Sequence, residues 1–192
     1  MVNAQEYINQ KYPKEKRSEI TELDINEKTL EGDLDLTDFI QLIKLDLSNN
    51  YLTRIIFPTD ARKLIYLDIT NNDFSPQDLS VFSQLTNLKE HKLKTGIYNK
   101  FFGSLKPLKN LNKLEKLDIS NTDIDSGLEY LPESLKTFYC ENVPCEKVRE
   151  WVRKRIIQEE ESLKYEDERA RNGLFSCYFP LNIADCSYEL QT

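Results

Sequence analysis

With 192 residues the chain has the length of a single domain. Thirty-three Asp and Glu against 26 Lys and Arg give a net charge of −7, which argues against general attraction to nucleic acid or anionic lipid. Charged residues at 31%, a hydrophobic share of 39% and no long apolar run exclude a disordered chain and a membrane-spanning helix, leaving a globular or repetitive protein.

The first predicted element is a helix. Asn3 is placed to cap it, Ala4, Tyr7, Ile8 and Tyr12 follow at helical spacing, and Pro13 stops it, so residues 1–19 read as an N-terminal helical cap. The basic stretch KYPKEKR within it reads as solvated cap surface. The opening segment lacks the apolar core and small-residue cleavage site of a secretory leader. Cys140, Cys145, Cys177 and Cys186 match neither zinc-pair spacing nor a disulfide scaffold, so free thiols and a cytoplasmic location are expected.

From Ile20 the chain repeats itself. ITELDINEKTL, LIKLDLSNNYL, LIYLDITNNDF, LKEHKLKTGIY, LEKLDISNTDI and LKTFYCENVPC begin at Ile20, Leu42, Leu64, Leu88, Leu114 and Leu135, at offsets of 22, 22, 24, 26 and 21 residues. Each holds a short segment, such as Lys44-Leu45-Asp46-Leu47-Ser48, alternating apolar and polar residues as a half-buried strand does. Six such strands are expected to stack in parallel. Leu23, Leu45, Leu67, Leu117 and Phe138 form one inward column; Ile25, Leu47, Ile69, Leu93, Ile119 and Cys140 form the next. Asn50 and Asn72 stand where the chain leaves the strand, and there an amide can both donate to and accept from buried backbone. Lys28, Gly96, Thr122 and Val143 hold that place elsewhere, and only Thr122 can partly substitute.

The segments LDLSNNYL and LDITNNDF, with this period, resemble the leucine-rich repeat family, over residues 20–145. The opening block AQEYINQKYPKEKRSEI is similar to the cap before such repeats in some fungal members, where the modules can stand beside kinase domains; no kinase motif is present in this chain. The resemblance implies an α/β, right-handed solenoid with a parallel concave sheet and helical caps. It also implies a noncatalytic scaffold or adaptor for protein partners. Two competitors are a regulatory subunit of a signalling enzyme, such as a phosphatase or kinase, and a ubiquitin-ligase-type enzyme using Cys177 or Cys186. Too few residues follow Gly173 for the catalytic domain the latter needs.

Beyond the repeats, Pro144 opens a capping helix over 146–173 in which Val148, Trp151, Val152 and Ile156 make an apolar stripe. Residues 174–192 have no assigned structure.

The polar residues between the inward columns carry the expected binding surface. The central row is Asp24, Asp46, Asp68, Lys92, Asp118 and Tyr139, with Lys44, Tyr66 and Lys116 in the row beside it. Exposed carboxylates one strand apart repel by roughly 1 kcal/mol, so an aspartate row invites a basic segment of a partner. The competing reading, favoured for any one aspartate, is habitual strand filler neutralised locally by Lys44 and Lys116. A calcium site on Asp24, Asp46 and Asp68 lacks the glycine and spacing of known calcium loops. His91 is the only histidine and replaces an inward leucine, so it is expected to be a hydrogen-bonded core residue. No phosphate loop can be drawn through the five glycines, and no cofactor or metal is expected.

Overall fold

A computed structural model of the chain describes residues 1–92 and 100–140. The expectations for Leu93, Gly96, Val143, Pro144, Cys145, the 146–173 helix and the 174–192 tail lie outside the described residues.

The chain opens with β1 (Val2–Asn3), α1 (Ala4–Lys11) and the single turn α2 (Lys14–Arg17). It then alternates between two sides of a coil. The first side holds β2 (Glu22–Asp24), and the return path holds β3 (Leu30–Asp35). The pattern continues with β4 (Lys44–Asp46) on the first side and β5 (Tyr51–Ile56) on the return path, whereas β6 (Tyr66–Asp68) and β7 (Glu90–Lys92) both lie on the first side. After them come β8 (Phe102–Ser104), β9 (Lys116–Asp118), β10 (Asp123–Ser126) and β11 (Thr137–Tyr139). β2, β4, β6, β7, β9 and β11 join in that order into one six-stranded parallel sheet. On the return side β1, β3 and β5 form a second sheet, and β8 pairs with β10.

The alternation read from the repeats is what sets the register. Leu23 lies opposite Leu45, Leu45 opposite Leu67, Leu67 opposite His91, His91 opposite Leu117, and Leu117 opposite Phe138. All six are buried, as are Ile25, Leu47, Ile69 and Ile119 in the neighbouring column, while Cys140 is half-buried against the core. Burial of each of these aliphatic side chains stabilises by roughly 1.5–3 kcal/mol, but each needs the next coil to complete its enclosure.

Longer repeats hold more filling. The coils spaced 24 and 26 residues apart carry Phe74, Phe82 and Phe101 inward, where Phe82 meets Phe101 at 5.6 Å and Phe57 at 6.2 Å between ring centres. Short 3-10 turns at Leu79–Phe82, Lys106–Leu108 and Leu128–Tyr130 set Leu79, Phe82, Leu108 and Leu128 into the core.

The turn after each front strand is closed from inside. Asn50 Nδ2 donates to the carbonyls of Ile25, Leu47 and Ser48, and its Oδ1 accepts from the amides of Lys28 and Leu30. Asn72 does the same one coil on, donating to Leu47, Ile69 and Thr70 and accepting from Leu52. Thr122, at the equivalent place, donates only to Ile119 at 2.7 Å.

At the amino end the Asn3 side chain accepts from the Glu6 amide at 3.0 Å, and Ala4 and Ile8 are buried against the first coil. Arg17 corrects the reading of KYPKEKR as solvated surface throughout, because it is only 6% exposed. Its guanidinium donates to the Tyr12 carbonyl at 2.9 Å and Asn9 Oδ1 at 2.7 Å, faces Asp38 at 3.4 Å, and lies 5.7 Å from the Phe39 ring centre. A buried guanidinium is tolerated where its donors are met, and these partners tie the cap to the repeats.

Gly127 marks a close approach between return segments. Its φ is +88°, and a Cβ there would collide with Ser104 Oγ and stand 2.7 Å from the Leu105 amide nitrogen. Gly127→Ala is expected to destabilise by about 2 kcal/mol, from the left-handed backbone and the overpacked contact together. Urea unfolding checks this; a midpoint within error of the wild type would show that β8 and β10 separate freely.

Candidate protein-interaction face

Three-residue strands expose only their first and last side chains, so the six-stranded sheet presents two outward rows. Register places Glu22, Lys44, Tyr66, Glu90, Lys116 and Thr137 side by side in one row, and Asp24, Asp46, Asp68, Asp118 and Tyr139 in the other, where Lys92 holds the register position between Asp68 and Asp118. Every residue named from the sequence as a partner contact falls in these rows, at the strand spacing of about 4.8 Å.

The aspartates have a local occupation that the repulsion argument omitted. Asp24 Oδ1 accepts from the Asn26 amide at 3.1 Å, Asp46 Oδ1 from Ser48 at 3.0 Å, Asp68 Oδ1 from Thr70 at 3.1 Å and Asp118 Oδ1 from Ser120 at 2.9 Å. Three also take a second donor from the same residue: Asn26 Nδ2, Ser48 Oγ and Thr70 Oγ1. Each carboxylate therefore closes an Asx turn where its strand ends.

Asp68 departs from the expected exposed row. It is 5% exposed, and the Tyr66 hydroxyl donates to its second oxygen at 3.2 Å. The aromatic side chain of its own strand covers it, so only Asp24, Asp46 and Asp118 remain open to a partner from that set. Lys44 Nζ lies 5.5 Å from the Tyr66 ring centre, and Lys116 Nζ 6.0 Å from that of Tyr139, distances at which a cation is attracted to an aromatic face.

The two halves of the face differ in how their charges are matched. Lys116 pairs with Glu90 at 3.2 Å. Just before the strands, Glu115 is held by Lys136 at 2.8 Å and Lys89 at 3.8 Å. The Lys136 hydrogen bond, ahead of its charge, keeps the Glu115 carboxyl below the usual carboxylate range. In the first half, no described cation pairs with Glu22, Asp24 or Asp46.

Sequence reasoning missed Ile43 and Ile65. Their amides continue the ladder, Ile43 to the Thr21 carbonyl at 2.7 Å and Ile65 to that of Ile43 at 2.8 Å, yet their side chains remain 42% and 38% exposed. An isoleucine at the second template position of two successive repeats was the available signal.

His91 is fully buried, as its register demands, but it is not the satisfied core histidine expected. Neither ring nitrogen has a hydrogen-bond partner, and its ring stands edge-on to Phe82 at 4.6 Å. Burial holds its pKa down at about 3, opposed in part by the Asp68 charge. Among the described residues no group of three or more His, Cys, Asp or Glu is placed to hold a metal ion.

Comparison with known proteins bears on this architecture. A family model described as Leucine Rich Repeat matches residues 41–60. No curated protein matches the chain. Among solved structures, the LRR ectodomain of the receptor kinase SOBIR1 from Arabidopsis thaliana is 30% identical with a TM-score of 0.51, over 63% of this chain and 68% of that one. An internalin, inlF, from Listeria monocytogenes is 18% identical with a TM-score of 0.36, over 73% of this chain and 55% of that one. The repeat fold is generally a protein-interaction scaffold and typically noncatalytic. With its stacked strands, its asparagine-closed turns and this extent of likeness, the chain belongs to the leucine-rich repeat family.

Proposed function

We propose that this chain is a noncatalytic scaffold or adaptor that holds a protein partner against the outward face of its six-stranded sheet, the partner contributing a basic segment. Fold alone does not assign a function, so the reading rests on the site. The observation that carries it is the unbroken register of the two outward rows, which holds polar and aromatic side chains at fixed spacing. Such an array loses little conformational entropy when a partner binds, which favours recognition of an extended surface. The carboxylates of Glu22, Asp24 and Asp46, without a described cation, favour a partner that brings its own. In this reading the protein works in the cytoplasm, a compartment with which cysteines outside any disulfide-scaffold spacing are consistent.

The test uses the double variant Asp24→Asn/Asp46→Asn. Asparagine keeps the oxygen that closes each Asx turn and removes only the charge. Affinity capture followed by quantitative mass spectrometry is expected to recover a partner with the wild-type chain and about tenfold less with the variant, as two rim charges lost would give. Recovery should also fall as salt is raised through the range where exposed charges are screened. Equal recovery with both proteins, at low and high salt alike, removes the sheet face from the reading.

A further inference from the structure

We infer that the docking surface is confined to the first three strands of the sheet and accepts an extended peptide segment that pairs a lysine or arginine with a large aliphatic or aromatic side chain. This deepens the proposal above and rests on its reading of the sheet face. The column just before the strands runs through Thr21, Ile43, Ile65, Lys89, Glu115 and Lys136, each amide after Thr21 bonding to the preceding carbonyl at 2.7–2.8 Å. Its character changes between Ile65 and Lys89. Beyond that point Lys89 and Lys136 both pair with Glu115, and Glu90 pairs with Lys116 in the next row. A partner docking there would have to desolvate or replace ion pairs already made, which gives little net attraction.

Before that point the balance is reversed. Ile43 and Ile65 are adjacent, partly exposed and apolar, so covering them releases water with nothing to break. Beside them stand Glu22, Asp24 and Asp46, whose only described cationic neighbour in the outward rows is Lys44. Lys44 is turned toward the Tyr66 ring. An apolar centre with an acidic rim is complementary to an apolar anchor flanked by cations, the anchor supplying affinity and the cations orientation. A second copy of this chain is disfavoured as occupant because it would set Glu22, Asp24 and Asp46 against their own equivalents. The outward rows hold their side chains at fixed strand spacing, which suits an extended rather than a helical ligand.

The experiment selects a random dodecapeptide library displayed on phage against the full chain, then measures the enriched peptides by fluorescence anisotropy. Three double variants serve as reporters: Ile43→Ser/Ile65→Ser, Glu22→Gln/Asp46→Asn, and Lys89→Ser/Lys136→Ser, each checked for wild-type circular dichroism. The expected result is enrichment of sequences joining Lys or Arg to an aliphatic or aromatic residue. Their affinity should fall about tenfold with the first variant, about tenfold with the second, and less than about twofold with the third. Peptides that lose affinity only with Lys89→Ser/Lys136→Ser would overturn this placement and leave the sheet-face reading standing. Peptides indifferent to all three variants would overturn both. No enrichment, enrichment of acidic sequences, or self-association of the chain that Ile43→Ser/Ile65→Ser abolishes would each overturn the inference.

Discussion

Replacing Asn50 with alanine is expected to destabilise the protein by about 4 kcal/mol, since it strands several buried backbone groups whose lost partners count about 1–3 kcal/mol each. The amide makes five bonds: three donated, to Ile25, Leu47 and Ser48, and two accepted, from Lys28 and Leu30. Those groups belong to two successive coils, so one side chain holds the exit of the strand Lys44–Asp46 to the coil before it. At 4% exposure water cannot substitute without opening the turn. Asn50→Asp keeps the acceptor and loses the donors, and it should also destabilise, by leaving a charge among the same carbonyls. Thr122→Ala removes a single bond and is expected to lose only about 1 kcal/mol. Urea unfolding with unchanged m-values reads all three. If Asn50→Ala and Thr122→Ala shift the midpoint equally, the asparagine is not what joins the coils.

The sequence is legible where physics repeats. Leu45, Leu67 and Leu117 could be placed on one buried side because a one-residue slip would turn each of them to water, and the observed register agrees. The turn asparagines were legible for a related reason, that only an amide can both donate and accept there. The return side was less so. LEGDLD and YLTRII become β3 and β5, but their pairing depends on how neighbouring coils close, not on their own alternation. The spacing Asp-x-Asn, Asp-x-Ser and Asp-x-Thr at Asp24, Asp46 and Asp68 carries the signal of the Asx turns, which a reading by charge alone does not use. Burial of Asp68 under Tyr66, and of Arg17 between Tyr12, Asn9 and Asp38, could not be found this way. Both depend on the reach of one long side chain, which no period encodes.

His91→Leu is expected to stabilise the protein by about 2 kcal/mol at neutral pH and to remove an acid sensitivity that the wild-type chain carries. The histidine occupies a leucine column, opposite Leu67 and Leu117, with two buried nitrogens unpartnered. Leucine restores the column at a small loss of the edge-on contact with Phe82, an aromatic arrangement of about 0.5–1.5 kcal/mol. The pH dependence follows from the depressed pKa. Folded His91 takes a proton only near pH 3, whereas an ordinary imidazole does so near 6.5. Between those values the unfolded chain binds a proton that the folded chain refuses, so stability is complete above about 6.5 and falls by about 1.4 kcal/mol for each further unit of acidification. At about pH 5 the wild type should have lost about 2 kcal/mol through this residue alone, and the gap to His91→Leu should have widened to about 4 kcal/mol. Urea midpoints taken at several pH values between neutrality and about 5 decide the matter. Parallel loss of stability in both proteins would mean that the proton is taken up elsewhere and that His91 reaches solvent in the folded state.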